Sequence, residues 1–426
     1  MVTNETLIDR RGRLLGKGAP LFYRDPVHIV RGDGVWLYDA DGKRYLDMYN
    51  NVPCVGHANP RVVEAITKQT ATLNVHSRYL HEGILDYAER LTGHHNPSLS
   101  SVVFTCSGTE ASEVALLMAR AATSGRGIIC SDGGYHGNST EVRKLSRARV
   151  GDNTTPEFRA IPYPQTYRPL SNGANGSELT NIYLAEVQKA IDAFAANNIP
   201  LAGMFMCSIL ANEGLPNMPP DFMKGAATLV RNAGGLFIAD EVQAGFCRTG
   251  RWWGYETSDF VPDIVTMGKP MGNGMPLAGV AASAELVETF RKNTGYFNTF
   301  ASSPLQAAVG SAVLDVIEEE NLCANVADVG DYLRTALREL QQNHEPMGDI
   351  RGHGLAIGID WVLEREGKTP DREGAADVAN RLKDKGFLLS NMGSLGNLLK
   401  IRPPLVFGRE HADLFLNAFE ETLRQL

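Results

Sequence analysis

Lys269 closes the run Val261-Pro262-Asp263-Ile264-Val265-Thr266-Met267-Gly268-Lys269 and opens a loop of small residues, Pro270-Met271-Gly272-Asn273-Gly274. An ammonium at the inner end of an apolar strand loses solvation, so its pKa falls and the amine can serve as nucleophile or base. The alternative is a lysine whose stem lies along apolar surface while its head reaches water. A second run, Leu236-Phe237-Ile238-Ala239-Asp240-Glu241-Val242-Gln243, carries a buried strand into two adjacent acids. Buried carboxylates need compensation, so Asp240 serves a ligand, caps a helix or pairs with an arginine such as Arg248. In Cys106-Ser107-Gly108-Thr109-Glu110-Ala111-Ser112-Glu113, Ser107 and Glu110 fit a capping box that starts a helix. The same turn leaves backbone N–H groups and hydroxyls at a positive helix end, which suits a phosphate. Gly133-Gly134-Tyr135-His136-Gly137 sets an aromatic ring between glycines, where it either stacks on a planar ligand or plugs a loop.

Four short apolar runs must position these residues: Ser101 to Cys106, Gly127 to Ser131, Leu201 to Ser208 and Gly235 to Asp240. They alternate with longer helical patterns, which predicts βαβ units and a largely parallel sheet. Pro220 to Ala233 reads as a helix with proline in its first turn and Gly234-Gly235 beyond its end. Val35 to Leu46 reads as a hairpin turning on Asp41-Gly42. After about Glu320 the pattern runs helix, apolar run Leu355 to Val362, helix, strand and a last helix from Glu410. The expected fold is α/β: a large domain over 60–320 with a mostly parallel sheet flanked by helices, and a small α+β domain built from 1–59 and 321–426. A phosphate seat, a stacking ring, a buried acid and a poised lysine at the strand ends of one parallel sheet are what pyridoxal phosphate requires. No G-x-x-x-x-G-K or G-x-G-x-x-G follows a strand, so neither a P-loop nor a dinucleotide fingerprint competes.

Composition excludes other classes. Over 426 residues, 43% apolar and 21% charged residues describe a globular chain with material for a large core. A net charge of −8 argues against a nucleic-acid partner, and the basic stretch Arg143, Lys144, Arg147, Arg149 reads as a solvated loop or subunit contact. No stretch approaches the roughly 20 apolar residues of a membrane span, and Met1-Val2-Thr3-Asn4-Glu5 lacks an export signal, so a cytoplasmic protein is expected. His57 and His94-His95 lack metal-ligand spacing, so no metal is expected. The six cysteines, Cys54, Cys106, Cys130, Cys207, Cys247 and Cys323, include no C-x-x-C pair and read as reduced.

S-G-T-E-A at Ser107–Ala111, Y-H-G at Tyr135–Gly137, A-D-E-V-Q-A-G-F at Ala239–Phe246, the lysine segment at Lys269 and F-N-T-F at Phe297–Phe300 stand in the order of the class III aminotransferase family, which the chain resembles from about Gly34 onward. These are fold-type I pyridoxal-phosphate enzymes. The resemblance implies that Lys269 carries the cofactor covalently and that Asp240 keeps the pyridine nitrogen protonated. It further implies Tyr135 and Val242 on the two ring faces, Gln243 at the phenolic oxygen, and Ser107, Gly108 and Thr109 at the phosphate, with His136 beside them. Thr299 is the threonine the family supplies from the neighbouring subunit, so a homodimer with shared sites is implied.

The family usually grips a substrate carboxylate with an arginine three residues before a Pro-Pro pair. Leu399-Lys400-Ile401-Arg402-Pro403-Pro404 puts Lys400 there, and lysine lacks the planar fork that holds a carboxylate with two hydrogen bonds. Arg402 shares its face and offers a partial rescue. Cys207 stands where relatives commonly have the glutamate that pairs with that arginine. Tyr49 to His57, Leu73 to His81 and Pro262 to Lys269 resemble most the ethanolamine-phosphate phospho-lyases of class III. That resemblance implies β-elimination of phosphate from O-phosphoethanolamine, with Lys400, Arg78, His76, Tyr79, Asn51 and Arg402 as candidates for holding the phosphate of a small phosphorylated amine. The alternatives are an amine or ω-amino-acid:pyruvate aminotransferase and a phospho-lyase for 5-phosphohydroxylysine.

Overall fold

Three β-strands near the N-terminus, β1 (Ile29–Asp33), β2 (Trp36–Asp39) and β3 (Arg44–Asp47), form an antiparallel meander in the computed structural model, which describes residues 4–152 and 154–426. The hairpin turns where the sequence places it. Gly42 adopts φ 84°, and Asp39 Oδ1 accepts the N–H groups of Asp41 and Lys43 at 3.0 and 2.9 Å, so side chain and glycine together close the turn.

The central sheet contains β4 (Ser101–Thr105), β5 (Gly127–Ser131), β6 (Phe158–Ile161), β7 (Leu201–Cys207), β8 (Leu236–Asp240), β9 (Ile264–Met267) and β10 (Ala278–Ala282). Their order is β4-β10-β9-β8-β7-β5-β6, and only β10 runs against its neighbours. Every residue of β5 and β7 is buried, as a sheet covered on both faces requires. Alternation sorts the side chains. Ile128, Phe205, Ile238 and Ile264 pack with the helix Gly108–Thr123, whereas Ile129, Met204, Phe237 and Val265 pack with the helices Gly176–Ala196 and Phe222–Asn232 on the other face.

The C-terminal part supplies β11 (Met347–His353), β12 (Ala356–Trp361), β13 (Phe387–Leu388), β14 (Ser390–Met392) and β15 (Leu398–Ile401). An antiparallel sheet of order β11-β12-β15-β14 packs against the helices Leu322–Gln341 and Arg372–Asp384. β13 instead joins the N-terminal meander, pairing parallel with β3 at Phe387 and Leu46, which ties the two ends of the chain together.

Two expectations need correction. The helix read as Pro220 to Ala233 is Phe222–Asn232, and Pro220 lies outside it. Asp221, at φ 57°, turns the backbone into the left-handed region and starts the helix as its N-cap, its carbonyl accepting the Gly225 N–H at 2.9 Å. The cysteines are not all reduced: Cys247, in the loop after β8, and Cys323, on the helix Leu322–Gln341, form a disulfide. They stand 76 residues apart, so no local spacing announces the pair; the packing of that helix against the loop creates it. Cys54, Cys130 and Cys207 are free and buried, and Cys106 is free and half-buried. No helix among the described residues is long and apolar enough to cross a membrane.

Candidate active site

The parallel strands β4, β5, β7, β8 and β9 all point their C-terminal ends at one cleft of about 520 Å3, where an open α/β sheet places its ligands. The loop after β4 brings Ser107, Gly108 and Thr109, and the loop after β5 brings Tyr135, His136 and Gly137. Asp240, Val242 and Gln243 arrive from the end of β8, and Lys269 from two residues beyond β9. Nine of the ten residues expected to hold a cofactor therefore line one cavity.

Local chemistry explains each placement. Ser107 caps the helix Gly108–Thr123, its Oγ accepting the Glu110 N–H at 3.2 Å. The reciprocal half of the expected capping box is shifted by one residue: Glu110 Oε2 accepts the Cys106 N–H at 2.9 Å and the Asn298 side chain at 2.9 Å. The helix end keeps its first N–H groups for an anion. Val242 lies so close to Gly108 that a Cβ there would stand 3.0 Å from Val242 Cγ1, and the valine thereby forms one wall of the cleft. The half-exposed Tyr135 ring lines the cleft together with Val242.

The two adjacent acids divide their tasks. Asp240 neither caps a helix nor pairs with Arg248, which donates instead to the carbonyls of Leu355 and Pro403. Asp240 Oδ2 lies 2.6 Å from His136 Nδ1, and Oδ1 accepts the Val242 N–H at 2.9 Å. Glu241 turns away and holds the backbone N–H groups of Gly254 and Tyr255 at 2.7 and 2.8 Å; burial pushes its carboxyl up to about 7. Burial lowers the pKa of Lys269, Asp240 raises it and Arg402 lowers it again. Lys269 is thus the dry amine its sequence context suggested. A covalent anchor, an anion for a ring nitrogen, a wall for a planar ring and a helix-end phosphate seat fit pyridoxal 5'-phosphate.

The candidates for the substrate phosphate divide into groups. Lys400, on β15, is buried, does not line the cleft and donates to the Ala211 carbonyl. Burial drives its pKa well below the ordinary lysine value, with Arg402 next in effect. Arg402 donates to Gln243 Oε1 and lies 4.4 Å from the centre of the Tyr49 ring. Asn51 is buried two residues beyond Tyr49 and does not line the cleft. His76, Arg78, Tyr79 and Thr299 do not reach it either. His76 stacks on Tyr79 with ring centres 5.2 Å apart, and Arg78 lies 4.2 Å from the Phe297 ring. Together with the exposed Thr299 they make one surface group outside the cleft of their own chain.

Three residues that sequence reasoning did not assign to the site belong to it or flank it. Asn212 lines the cleft, donating to the Tyr135 carbonyl and accepting from Gln243, both at 3.2 Å, so it ties two loops together. Gly137 lines it beside Thr109. Glu213 is buried near enough to Lys400 for each to act on the other's pKa, although the Lys400 ammonium donates to the Ala211 carbonyl and not to that carboxylate. The available signal was position, since Asn212 and Glu213 come after β7 at the same edge of the sheet as Asp240 and Lys269.

A mostly parallel sheet with this lysine, carboxylate and helix end at its C-terminal edge defines a fold-type I pyridoxal-phosphate enzyme. Residues 22–423 match the family described as Aminotransferase class-III. The chain belongs to that family, and its cofactor is pyridoxal 5'-phosphate. It is 37% identical to an alanine–glyoxylate aminotransferase 2-like protein of Drosophila melanogaster, over 98% of this chain and 86% of the relative. It is also 37% identical to the ethanolamine-phosphate phospho-lyase homolog 1 of Caenorhabditis elegans, over 99% of this chain and 94% of the relative. Among solved structures it resembles a phospholyase from Arthrobacter in complex with phosphoethanolamine, with a TM-score of 0.94 at 41% identity, covering 99% of this chain and 100% of that one.

Proposed function

We propose that the enzyme is a phospho-lyase that eliminates phosphate from O-phosphoethanolamine, one water then hydrolysing the remaining enamine to acetaldehyde and ammonia. The observation that carries this reading is a cluster of three basic side chains, with Lys269 lining the cleft and Lys400 and Arg402 close enough to act on it or on each other. Arg402 lowers the pKa of both Lys269 and Lys400, and Glu213 is the carboxylate that opposes it at Lys400. A phosphate dianion would relieve this repulsion, whereas a single carboxylate meets a lysine without the fork that grips it. The likeness to the Arthrobacter phospholyase and the Caenorhabditis elegans homolog supports the same substrate class.

When bound, the cofactor supplies an electron sink for the charge left at the substrate Cα. Lys269 takes the Cα proton, a task for which its lowered pKa prepares it. Lys400 and Arg402, which lie beside the cleft, are the cations that would attract the β-phosphate, whose second pKa of about 6 makes it a good leaving group near neutral pH. Ser107, Gly108 and Thr109 would hold the cofactor phosphate, and Asp240 would serve the ring nitrogen. Thr299 and the exposed group around Arg78 serve the site of a second copy in a homodimer that works in the cytoplasm.

Incubation with O-phosphoethanolamine should release phosphate and acetaldehyde in equal amounts, and Lys400→Met should raise KM about tenfold or more, as loss of a buried charge contact does. Amino transfer to pyruvate without phosphate release would replace this reading by the aminotransferase one. Release from 5-phosphohydroxylysine alone would move it to the longer substrate.

A further inference from the structure

Two buried polar atoms behind Asp240 have no hydrogen-bond partner: Nε2 of His136 and Oε2 of Glu213. The residues are 4% and 3% exposed, so water does not satisfy these atoms from outside, and unpaired burial of such groups is costly. Both side chains reach Gly134, the imidazole with Nε2 and the carboxyl with its other oxygen, Oε1. A Cβ at that position would stand 3.0 Å from His136 Nε2, 3.0 Å from Ser131 Oγ and 3.3 Å from Glu213 Oε1, so the missing side chain lets three polar groups gather. Ser131 Oγ donates to Glu213 Oε1, which leaves Oε2 as the free acceptor. The Phe205 ring, 4.7 Å from the imidazole centre to centre, packs against His136. Burial raises the Glu213 carboxyl, while Ser131, His136 and Lys400 draw it down. The ionisable groups facing the pair are thus Asp240 at the end of β8, Lys400 on β15 and the buried thiol of Cys207 on β7.

We propose that Glu213 is a positioning residue that acts on the cofactor's ring nitrogen through His136 and Asp240. Its negative charge acts through space to favour a proton on His136 Nε2, the imidazole keeps its Nδ1–H on Asp240, and Asp240 remains an anion toward the ring. No covalent bond changes; only the place of protons is fixed. The inference rests on the cofactor lying beside Asp240 and is independent of which substrate the enzyme takes.

The test begins with the cofactor-free chain, in which the ring 15N resonances of His136, identified by their loss in His136→Asn, are followed against pH. Glu213→Gln should lower the pH at which Nε2 gives up its proton by about one unit or more, as removal of an opposite charge at close range does. In the loaded enzyme the pH titration of the cofactor's near-visible absorbance should move the same way, and Glu213→Asp should recover part of both shifts. A merely structural Glu213 would lower the melting temperature and leave both titrations in place, which would overturn the proposal. Should Glu213→Gln fail to fold, Ser131→Ala removes the hydroxyl donor and keeps the carboxyl; a smaller downward shift of the His136 titration supports the proposal, and an unmoved one sinks it. Failure of the elimination assay with these shifts intact would remove the substrate assignment alone.

Discussion

Burial lowers the pKa of the Lys269 ammonium, Asp240 opposes that effect and Arg402 reinforces it, so burial and two charged neighbours set the base form. Arg402→Gln removes a cation and should raise that pKa. The ascending limb of kcat against pH then moves to higher pH, and a limb that stays fixed would mean that another group sets the rate. Lys400 gives a stability prediction with a definite sign. Its pKa falls well below 10.5 in the folded chain, chiefly through burial, and returns to the ordinary lysine value on unfolding. Between those two values the unfolded chain binds more protons, so stability lost at the lower end is regained as pH rises toward 10.5. Denaturant titrations of the cofactor-free chain should show this rise, and Lys400→Met should flatten it.

At the scale of elements, the site depends on strand ends and on glycines that let loops approach. Gly137 adopts φ 146°, and a Cβ there would come within 2.8 Å of Thr109 Oγ1 and 2.9 Å of Thr109 Cα. Gly137→Ala should cost about 1–3 kcal/mol of stability through backbone strain and crowding. It should also push Thr109 off the phosphate seat, so cofactor titration should show weakened binding while the far-UV spectrum stays native. The central strands were legible because Gly127 to Ser131, Leu201 to Cys207 and Leu236 to Asp240 are apolar along their length. The antiparallel β10 and the strand Met347–His353 were not. Ala278-Gly279-Val280-Ala281-Ala282 carries only small residues with no period, and Met347–His353 mixes charge and glycine while borrowing its burial from β12 and the helix Leu322–Gln341.

For the whole molecule, Leu80 at 99% exposed, Phe300 at 77% and Tyr79 at 63% stand within two residues of Arg78 or Thr299 in the chain, and the homodimer proposed above would cover them. Mixing Lys269→Ala chains with Thr299→Ala chains, each inactive alone, should restore about a quarter of wild-type activity, since half the dimers are mixed and one of their two shared sites is intact. No recovery would show that each chain completes its own site. Taken by itself, the sequence determined the chemistry: Lys269, Asp240, Tyr135 and Ser107 to Thr109 stand at or just after the ends of apolar runs, and a strand of known direction delivers its trailing loop to a known edge of the sheet. The tertiary structure alone decided the relations across the chain: Asp240 meets His136 rather than Arg248, Glu213 lies by Lys400, Cys247 joins Cys323, and Arg78 leaves the cleft. These depend on which elements become neighbours, and burial summed over the whole core sets that choice, which no local spacing records.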